Sequence, residues 1–251
     1  MAEPSTPAAS LPLPVPRHEG LRIAGEIVGA DRGEPGNPDD PRRITVRHPY
    51  SGAVVGSVPK ASLAEVRLAF DTAKAYKSTL SRADRAAILN RAGALVRDRV
   101  DDLAAIISAE SGLCLKDSRY ETGRVADVLV FGAIECLRDD GQSFACDLTP
   151  HGKKRRVHTL REPLLGVISA ITPFNHPMNQ VAHKVVPAVV TNNRMVLKPS
   201  EKVPLSALAF ADLLYEAGLP PAMLSVVTGD PAEIADELLT NPAVDLITFT
   251  G

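Results

Sequence analysis

The chain has 251 residues, enough for one large domain or two smaller ones, and its 45% hydrophobic and 23% charged residues are typical of soluble globular proteins. Its net charge of −2 excludes a bulk electrostatic attraction to nucleic acid or to an anionic membrane surface. No apolar run approaches the roughly 18–20 residues of a membrane-spanning helix and no signal peptide opens the chain, so we expect a cytoplasmic protein.

The chain begins with a segment rich in proline, alanine and serine. This composition predicts that residues 1–20 form a disordered leader, with a polyproline II ligand for a partner as the alternative. Residues 33–41 have the composition of a loop. Residues 43–49 alternate as a strand does, and a turn and a second short strand follow them.

Helical periodicity begins near residue 63. Leu63, Val66, Phe70 and Ala73 lie three or four residues apart, which predicts a helix with one apolar face. Three further helices are predicted at residues 81–97, 104–109 and 116–137. We therefore assign residues 21–140 to N-terminal strands and helices.

Residues 141–161 have a different pattern. Two strand-like runs surround the turn sequence "TPHGKK", which predicts a β-hairpin. The hairpin contains four consecutive basic residues, 153–156. They lack interleaved aromatic residues, so we interpret them as a solvated surface rather than a nucleic-acid patch.

From residue 164 onward, short apolar runs alternate with helical patterns. The predicted strands are residues 164–170, 195–197, 224–227 and 246–249. The helices between them are residues 178–190, where we expect Pro187 to start a new turn, residues 205–217, and a helix with Asp230 as its N-cap. Parallel strands need such crossovers. We therefore predict an α/β fold, an open doubly wound parallel sheet with helices on both faces, over residues 162–251.

Polar or glycine-containing loops follow all four predicted strands. They are "TPFNH" after the first, "KPSE" after the second, "TGD" after the third and "TFTG" at the last. Ligands of open parallel sheets bind beyond the carboxyl ends of the strands. We therefore expect these loops to converge on one rim, and to form the binding site there.

Each rim residue has a functional and a plain interpretation. Asn175 offers an amide to a developing oxyanion, or it forms a turn before the helix. Lys198 and Glu201 suit a ribose and a phosphate, or they form a surface ion pair. Gly229 and Gly251 allow a close approach of a pyrophosphate, or they are ordinary turn glycines. No G-x-G-x-x-G motif follows any of the strands.

The three cysteines lie outside these loops. Cys114, Cys136 and Cys146 have no metal-binding spacing and do not make an even disulfide set. We expect them to be reduced and packed rather than nucleophilic, and we expect no metal site.

The rim motifs together resemble the aldehyde dehydrogenase superfamily. "ITPFNHP" is similar to the strand–Pro–aromatic–Asn–x–Pro motif of that family, and "VLKPSEKVPLSAL" to its Lys-Pro-Ser-Glu segment. "VVTGDP" and "VDLITFTG" are similar to its third strand and its Phe-Thr-Gly loop. The resemblance runs from about residue 21 to the end of the chain, and it implies the NAD(P)-binding domain of that fold.

The resemblance also implies site residues. Asn175 would be the amide of the oxyanion hole, and Lys198 and Glu201 would hold the adenosine ribose. Glu201 favours NAD, with NADP as the alternative, because a carboxylate repels a 2′-phosphate. Residues 141–161 would be the oligomerisation arm of a homodimer or homotetramer. The NAD(P) site would further be lined by Thr172, Pro173, Phe174, Ser200, Gly229, Phe249, Thr250 and Gly251.

The reaction of the family is the oxidation of an aldehyde to a carboxylate. The aldehyde forms a hemithioacetal on a cysteine, a hydride passes to the nicotinamide, and the thioester is hydrolysed. The family's cysteine and its general-base glutamate follow the Phe-Thr-Gly loop, where this chain ends. We therefore expect a truncated N-terminal half that is inactive alone, with a non-catalytic nucleotide-binding module as the alternative.

Within the superfamily, "PFNHPMNQVAHKVVPAV" and "SRYETGRVADVL" most resemble the phosphonoacetaldehyde dehydrogenases. That resemblance implies that His176 and Arg124 bind the phosphonate of a small anionic aldehyde, which suits two cationic donors. Taken singly, each is more often a packed or solvated side chain. Branches that act on lactaldehyde, succinate semialdehyde or glyceraldehyde 3-phosphate are the alternatives.

Overall fold

A computed structural model describes residues 15–138, 141–159 and 166–251. The helices are α1 Leu63–Ala75, α2 Arg82–Asp98, α3 Val100–Ser111, α4 Leu115–Cys136, α5 Asn179–Val190, α6 Leu205–Glu216 and α7 Pro231–Thr240. The strands are β1 Arg17–His18, β2 Leu21–Ile23, β3 Glu26–Val28, β4 Arg43–Arg47, β5 Val54–Pro59, β6 Gln142–Ala145, β7 Arg156–Thr159, β8 Val167–Ile171, β9 Arg194–Lys198, β10 Leu224–Val226 and β11 Leu246–Phe249. None of the helices in these ranges combines the length and the apolar content needed to cross a bilayer.

The main sheet has six strands in the order β11-β8-β9-β10-β2-β3. Its first four strands are parallel and are connected by α5, α6 and α7, so the predicted βαβαβαβ unit is confirmed. The sheet is mixed, because β2 pairs antiparallel with β10 and then forms a hairpin with β3. The N-terminal segment therefore adds an antiparallel edge that the strand pattern alone did not predict.

Two apolar layers cover the two faces of this sheet. Val196 of β9 packs in one layer with Phe70 of α1 and Ile234 of α7. Leu197, the next residue along the strand, packs in the other layer with residues of α2 to α6. Helices on both faces bury the central strands completely, which explains their continuous apolar sequences. The predicted doubly wound arrangement is confirmed.

The predicted boundary of the leader is wrong. Arg17 and His18 form β1, which pairs in parallel with β5, and the His18 Nδ1 lies 2.9 Å from the Ser57 Oγ. Glu19 continues this contact by donating its backbone N–H to the Ser57 carbonyl at 2.9 Å. Composition missed this strand because its pairing partner lies about forty residues away in the chain. Residues 1–14 of the predicted leader lie outside the described residues.

The expectation for Pro187 is also wrong, because this residue lies inside α5 rather than at the start of a new turn. The Thr191 N–H donates to the Pro187 carbonyl at 3.0 Å, so the helical hydrogen bonding resumes directly after the proline. The proline removes one backbone donor. Packing of the surrounding α5 side chains in the core compensates for that loss.

The predicted hairpin is confirmed for residues 141–159, where β6 and β7 pair antiparallel. Residues 160 and 161 of the prediction lie outside the described residues. The basic residues 153–156 are all exposed, as expected for a solvated turn. Phe144 and Val157 are each half exposed, so the hairpin also presents apolar side chains.

Candidate functional site

The four rim loops start from the same edge of the sheet. Ile171, the last residue of β8, is paired with Lys198 of β9 on one side and with Phe249 of β11 on the other. Val226, at the end of β10, is paired with Leu197. The strands therefore end almost level, and the polar loops that follow them converge as the sequence predicted.

The loop after β8 carries the predicted oxyanion donor. Thr172 is anchored by its backbone N–H, which donates to the Lys198 carbonyl at 3.2 Å. Pro173 is partly buried, whereas Asn175 and His176 are exposed. The Asn175 amide forms no hydrogen bond with any described residue, so its donors face solvent at the rim.

A buried carboxylate that the sequence analysis missed holds this loop in place. Glu121 of α4 is only 2% exposed. Its Oε1 accepts the backbone N–H groups of Met178 at 2.9 Å and Asn179 at 3.0 Å. Its Oε2 lies 3.4 Å from the Nδ1 of His176. Glu121 lies four residues before the buried Val125, on the same face of α4. A glutamate on the apolar face of a helix is the sequence feature that could have indicated this buried carboxylate.

Arg124 lies one helical turn after Glu121 on α4 and is exposed. Its guanidinium carbon lies 6.0 Å from the centre of the Tyr120 ring, at the outer limit of a cation–π contact. The structure thus brings the turn that carries Arg124 next to the loop that carries His176. Within the described residues the two side chains do not contact each other.

Lys198 and Glu201 form an ion pair at the end of β9. The Lys198 Nζ lies 3.3 Å from the Glu201 Oε2 and donates to the Pro199 carbonyl at 3.2 Å. Lys198 is almost completely buried, and this desolvation lowers the pKa of its ammonium group, against the opposing effects of Glu201 and Asp230. The plain interpretation, an ion pair, is therefore realised, although with the lysine buried rather than on the surface.

Two rim loops touch each other through a cation–π contact. The Lys202 Nζ lies 4.7 Å from the centre of the Phe174 ring, which is itself half exposed. The Lys202 backbone N–H donates to the Ser200 Oγ at 3.3 Å, which fixes the turn. The loop of the predicted ribose site therefore packs against the loop of the predicted oxyanion donor. Lys202 was not among the predicted site residues.

The loop after β10 is held by tight packing. A Cβ at Gly229 would lie 2.7 Å from the Ile234 Cδ1, so a side chain at this position would displace the end of that isoleucine. The Thr228 Oγ1 donates to the Pro59 carbonyl at 2.6 Å, which connects the loop to the end of β5. Packing against Ile234 of α7 therefore favours a small residue at position 229.

The loop after β11 lies at the exposed edge of the sheet. The Thr250 N–H donates to the Ile171 carbonyl at 3.2 Å and extends the strand pairing by one bond. Phe249 is 64% exposed, and Gly251 is exposed as well. On the same strand, the Thr248 Oγ1 accepts a hydrogen bond from the Lys184 Nζ of α5 at 2.9 Å.

The residues at this rim fit a dinucleotide. Lys198 supplies a cation, Glu201 an acceptor for hydroxyl groups, and the buried Thr172 Oγ1 has no hydrogen-bond partner among the described residues. The cysteines are free. Cys114 precedes α4, Cys146 lies in the hairpin region, and burial raises the pKa of the Cys136 thiol. None of the three belongs to a rim loop.

The chain is similar to known proteins over most of its length. The sequence model of the Aldehyde dehydrogenase family matches residues 37–251. A 3-sulfolactaldehyde dehydrogenase of Priestia aryabhattai is 39% identical over 210 residues, which cover 83% of this chain and 44% of that protein. A glutarate-semialdehyde dehydrogenase of Pseudomonas aeruginosa is 37% identical over 232 residues, which cover 91% of this chain and 45% of that protein.

A solved structure is similar over the same region. The NADP-dependent glyceraldehyde-3-phosphate dehydrogenase from Bacillus halodurans C-125, complexed with NADP, superposes with a TM-score of 0.83 at 34% identity. The match covers 93% of this chain and 48% of that one. The chain thus spans less than half the length of each of these relatives.

Proposed function

The chain belongs to the aldehyde dehydrogenase family, and from this we propose that it is the NAD(P)-binding part of an enzyme that oxidises a small anionic aldehyde to a carboxylate. The observation that carries the proposal is the level ending of β8, β9, β10 and β11, which assembles their four polar loops at one rim. A binding site at this place is what an open parallel sheet favours.

The proposal assigns the cofactor to the loops on the β9 and β10 side of the rim. Lys198 and Glu201 would hold the adenosine ribose, and the buried Thr172 Oγ1 would gain the hydrogen-bond partner that it lacks. When bound, the nicotinamide supplies the acceptor for the hydride that leaves the aldehyde carbon. The Glu201 carboxylate favours NAD, and NADP is the second candidate because a solved relative contains it. The remaining lining residues in this proposal are Pro173, Phe174, Ser200, Gly229, Phe249, Thr250 and Gly251.

Asn175 is proposed to stabilise the aldehyde oxygen. Its amide is exposed at the rim, and it carries two N–H donors that make no hydrogen bond within the described residues. A neutral amide that donates to the oxygen as negative charge develops there lowers the barrier without needing to be deprotonated. The position of Asn175 is supported by the anchored backbone on both sides of it, at Thr172 and Met178.

The anionic character of the substrate rests on two observations. The three relatives compared above are named for aldehydes with a second group that carries negative charge, a sulfonate, a carboxylate or a phosphate. In this chain, His176 and the helical turn of Arg124 lie beside the Asn175 loop. We propose phosphonoacetaldehyde as the specific substrate. Lactaldehyde, succinate semialdehyde and glyceraldehyde 3-phosphate are the alternatives.

The test is aldehyde oxidation by the complete enzyme, with and without the substitution Arg124→Ala. Loss of one charge-assisted contact should raise KM for phosphonoacetaldehyde about ten- to a hundredfold, while the uncharged aldehyde propanal is barely affected. Equal losses on both aldehydes would mean that Arg124 supports only the fold. The 251-residue chain alone, in which no residue is assigned as nucleophile or base, is the control and should reduce no NAD(P). Nucleotide binding by a complete protein that oxidises no aldehyde would favour a non-catalytic module.

Two further assignments complete the proposal. The hairpin of residues 141–161 is proposed as an oligomerisation arm of a homo-oligomer, which is supported by the half-exposed Phe144 and Val157. A cytoplasmic location stays a prediction from composition.

A further inference from the structure

We propose that Glu121 is a positioning residue whose two carboxylate oxygens have separate tasks: Oε1 fixes the start of α5 and the loop that carries Asn175, and Oε2 orients His176 towards the anionic group of the substrate. This inference rests on the function proposed above. It adds a reason why the loop that carries Asn175 and His176 would favour anionic aldehydes.

The task of Oε1 follows from the hydrogen bonding at the start of α5. The first N–H groups of a helix lack partners within the helix. The residue before α5, Met178, provides no side-chain cap. Instead, Glu121 Oε1 accepts both the Met178 N–H and the Asn179 N–H. Because Met178 is three residues after Asn175, this contact fixes one end of the loop that presents the amide.

The task of Oε2 follows from the chemistry of an ionised carboxylate, which only accepts hydrogen bonds. In the proposed arrangement the His176 Nδ1, 3.4 Å away, carries the hydrogen of this contact. The other ring nitrogen, Nε2, is then left for the substrate. A ring that carries a hydrogen on both nitrogens donates through Nε2 to an anionic group of the substrate.

The negative charge of Glu121 would repel an anionic substrate unless it were compensated. Two compensating groups are present. The start of α5 contributes about half a positive charge, directed at Glu121 through the two N–H groups. Arg124, one turn further along α4, contributes a full positive charge. The net field of this cluster therefore remains favourable for an anion.

A second buried glutamate provides a comparison for the assignment. Glu110 of α3 caps the start of α6, where its Oε2 accepts the Leu205 N–H at 2.7 Å and its Oε1 accepts the Ser206 N–H at 2.9 Å. Both oxygens of Glu110 are used by the backbone. Glu121 achieves the same capping with one oxygen, so that the second is available for His176.

The test is the substitution Glu121→Gln in the complete enzyme. The amide oxygen of glutamine can accept both backbone N–H groups, so hydrogen exchange of residues 176–184 should remain as slow as in the wild type. The amide NH₂ replaces Oε2 and donates to Nδ1, which prevents the doubly protonated ring from forming this contact. We expect KM for phosphonoacetaldehyde to rise about tenfold, with kcat for this aldehyde and both constants for propanal within about twofold of wild type.

Two variants control this experiment. Glu121→Ala removes both tasks, so residues 176–184 should exchange faster and kcat should fall for both aldehydes. Glu110→Gln makes the same carboxyl-to-amide substitution at the cap of α6 and should not discriminate between the aldehydes. Equal effects of Glu121→Gln on both aldehydes, or none on either, would overturn the assignment of Oε2. Faster hydrogen exchange in Glu121→Gln would overturn the task assigned to Oε1. This exchange measurement can be interpreted even if the wild type oxidises no aldehyde, in which case the proposed function fails separately.

Discussion

The starts of α5 and α6 are built in the same way and serve different parts of the rim. Each helix follows a loop that leaves the carboxyl end of a parallel strand, and neither has a side-chain cap of its own. Each is capped from a distance by a buried glutamate, Glu121 for α5 and Glu110 for α6. The α5 loop carries the proposed oxyanion donor, whereas the α6 loop carries the proposed ribose site.

The two glutamates differ in how much of their carboxylate the backbone uses. Glu110 gives one oxygen to the Leu205 N–H and the other to the Ser206 N–H. Burial raises the pKa of Glu110 to about 7, and the negative charge of Glu121 adds to this increase, while the hydrogen bonds from Leu205 and Ser206 oppose it. In our proposal, the glutamate cap supports only the fold at α6, whereas at α5 it supports both the fold and the site.

Removing either glutamate should have the largest effect on stability. Glu110→Ala and Glu121→Ala each leave two buried N–H groups without a partner, at about 1–3 kcal/mol for each group. We expect the melting temperature of the complete enzyme to fall by roughly 5–20 °C in each variant.

An exposed glutamate on α4 provides the matched control for these two variants. Glu135 forms a surface ion pair with Arg138 at 3.5 Å, and Glu135→Ala should change the stability by less than about 0.5 kcal/mol. If all three variants melted at the same temperature, the remote caps would have no energetic role, and the comparison between α5 and α6 would lose its basis.

The pH dependence of stability should separate the two glutamates. The pKa of Glu110 rises on folding from its ordinary value of 4.5 to about 7. Between these values the folded state holds a proton that the unfolded state releases, so stability decreases as the pH rises. The contribution is complete below pH 4.5 and is lost through about pH 7, and it amounts to roughly 3 kcal/mol.

Melting curves of the wild type, Glu110→Gln and Glu121→Gln between pH 4 and pH 8 would measure this contribution. In Glu110→Gln, the decrease in stability with rising pH should be absent. Glu121→Gln should keep it and move it to lower pH, because the charge that raises the Glu110 pKa is removed. If Glu110→Gln lost stability with rising pH as the wild type does, a different titrating group would be responsible.

The contrast between local and remote caps also explains how much the sequence could predict. Asp230 was predicted as the N-cap of α7, and its carboxylate accepts the Ala232 N–H at 2.9 Å, because cap and helix are adjacent in the chain. Glu121 caps a helix that lies 57 residues away from it in the chain, and no local pattern predicts that pairing. The strand β1 escaped prediction for the same reason.

The candidate site follows the same division. The convergence of the loops was predictable, because strand order and direction follow from the βαβ pattern. Contacts between loops were not, since the packing of Lys202 on Phe174 depends on how far each loop extends from the sheet. The expected pocket of His176 and Arg124 stays a prediction. Glu121 of α4 contacts the loop that carries His176, so the helical turn of Arg124 lies next to that loop.

Among the helix caps, the smallest effect is expected where the cap is local and exposed. Ser81 precedes α2, its Oγ accepts the Asp84 N–H at 3.1 Å, and its own N–H donates to the Asp84 Oδ2 at 2.9 Å. In Ser81→Ala, water can reach the exposed N–H group that loses its partner, so the loss should be about 1 kcal/mol, or roughly 2–4 °C in melting temperature. Ser81 belongs to no rim loop, so KM and kcat for phosphonoacetaldehyde and propanal should not change. A loss of stability as large as that of Glu110→Ala would mean that burial of a cap does not determine how much it stabilises the protein. Ser81→Asp keeps an acceptor at this position, and it should restore the melting temperature if the hydrogen bond is the cause.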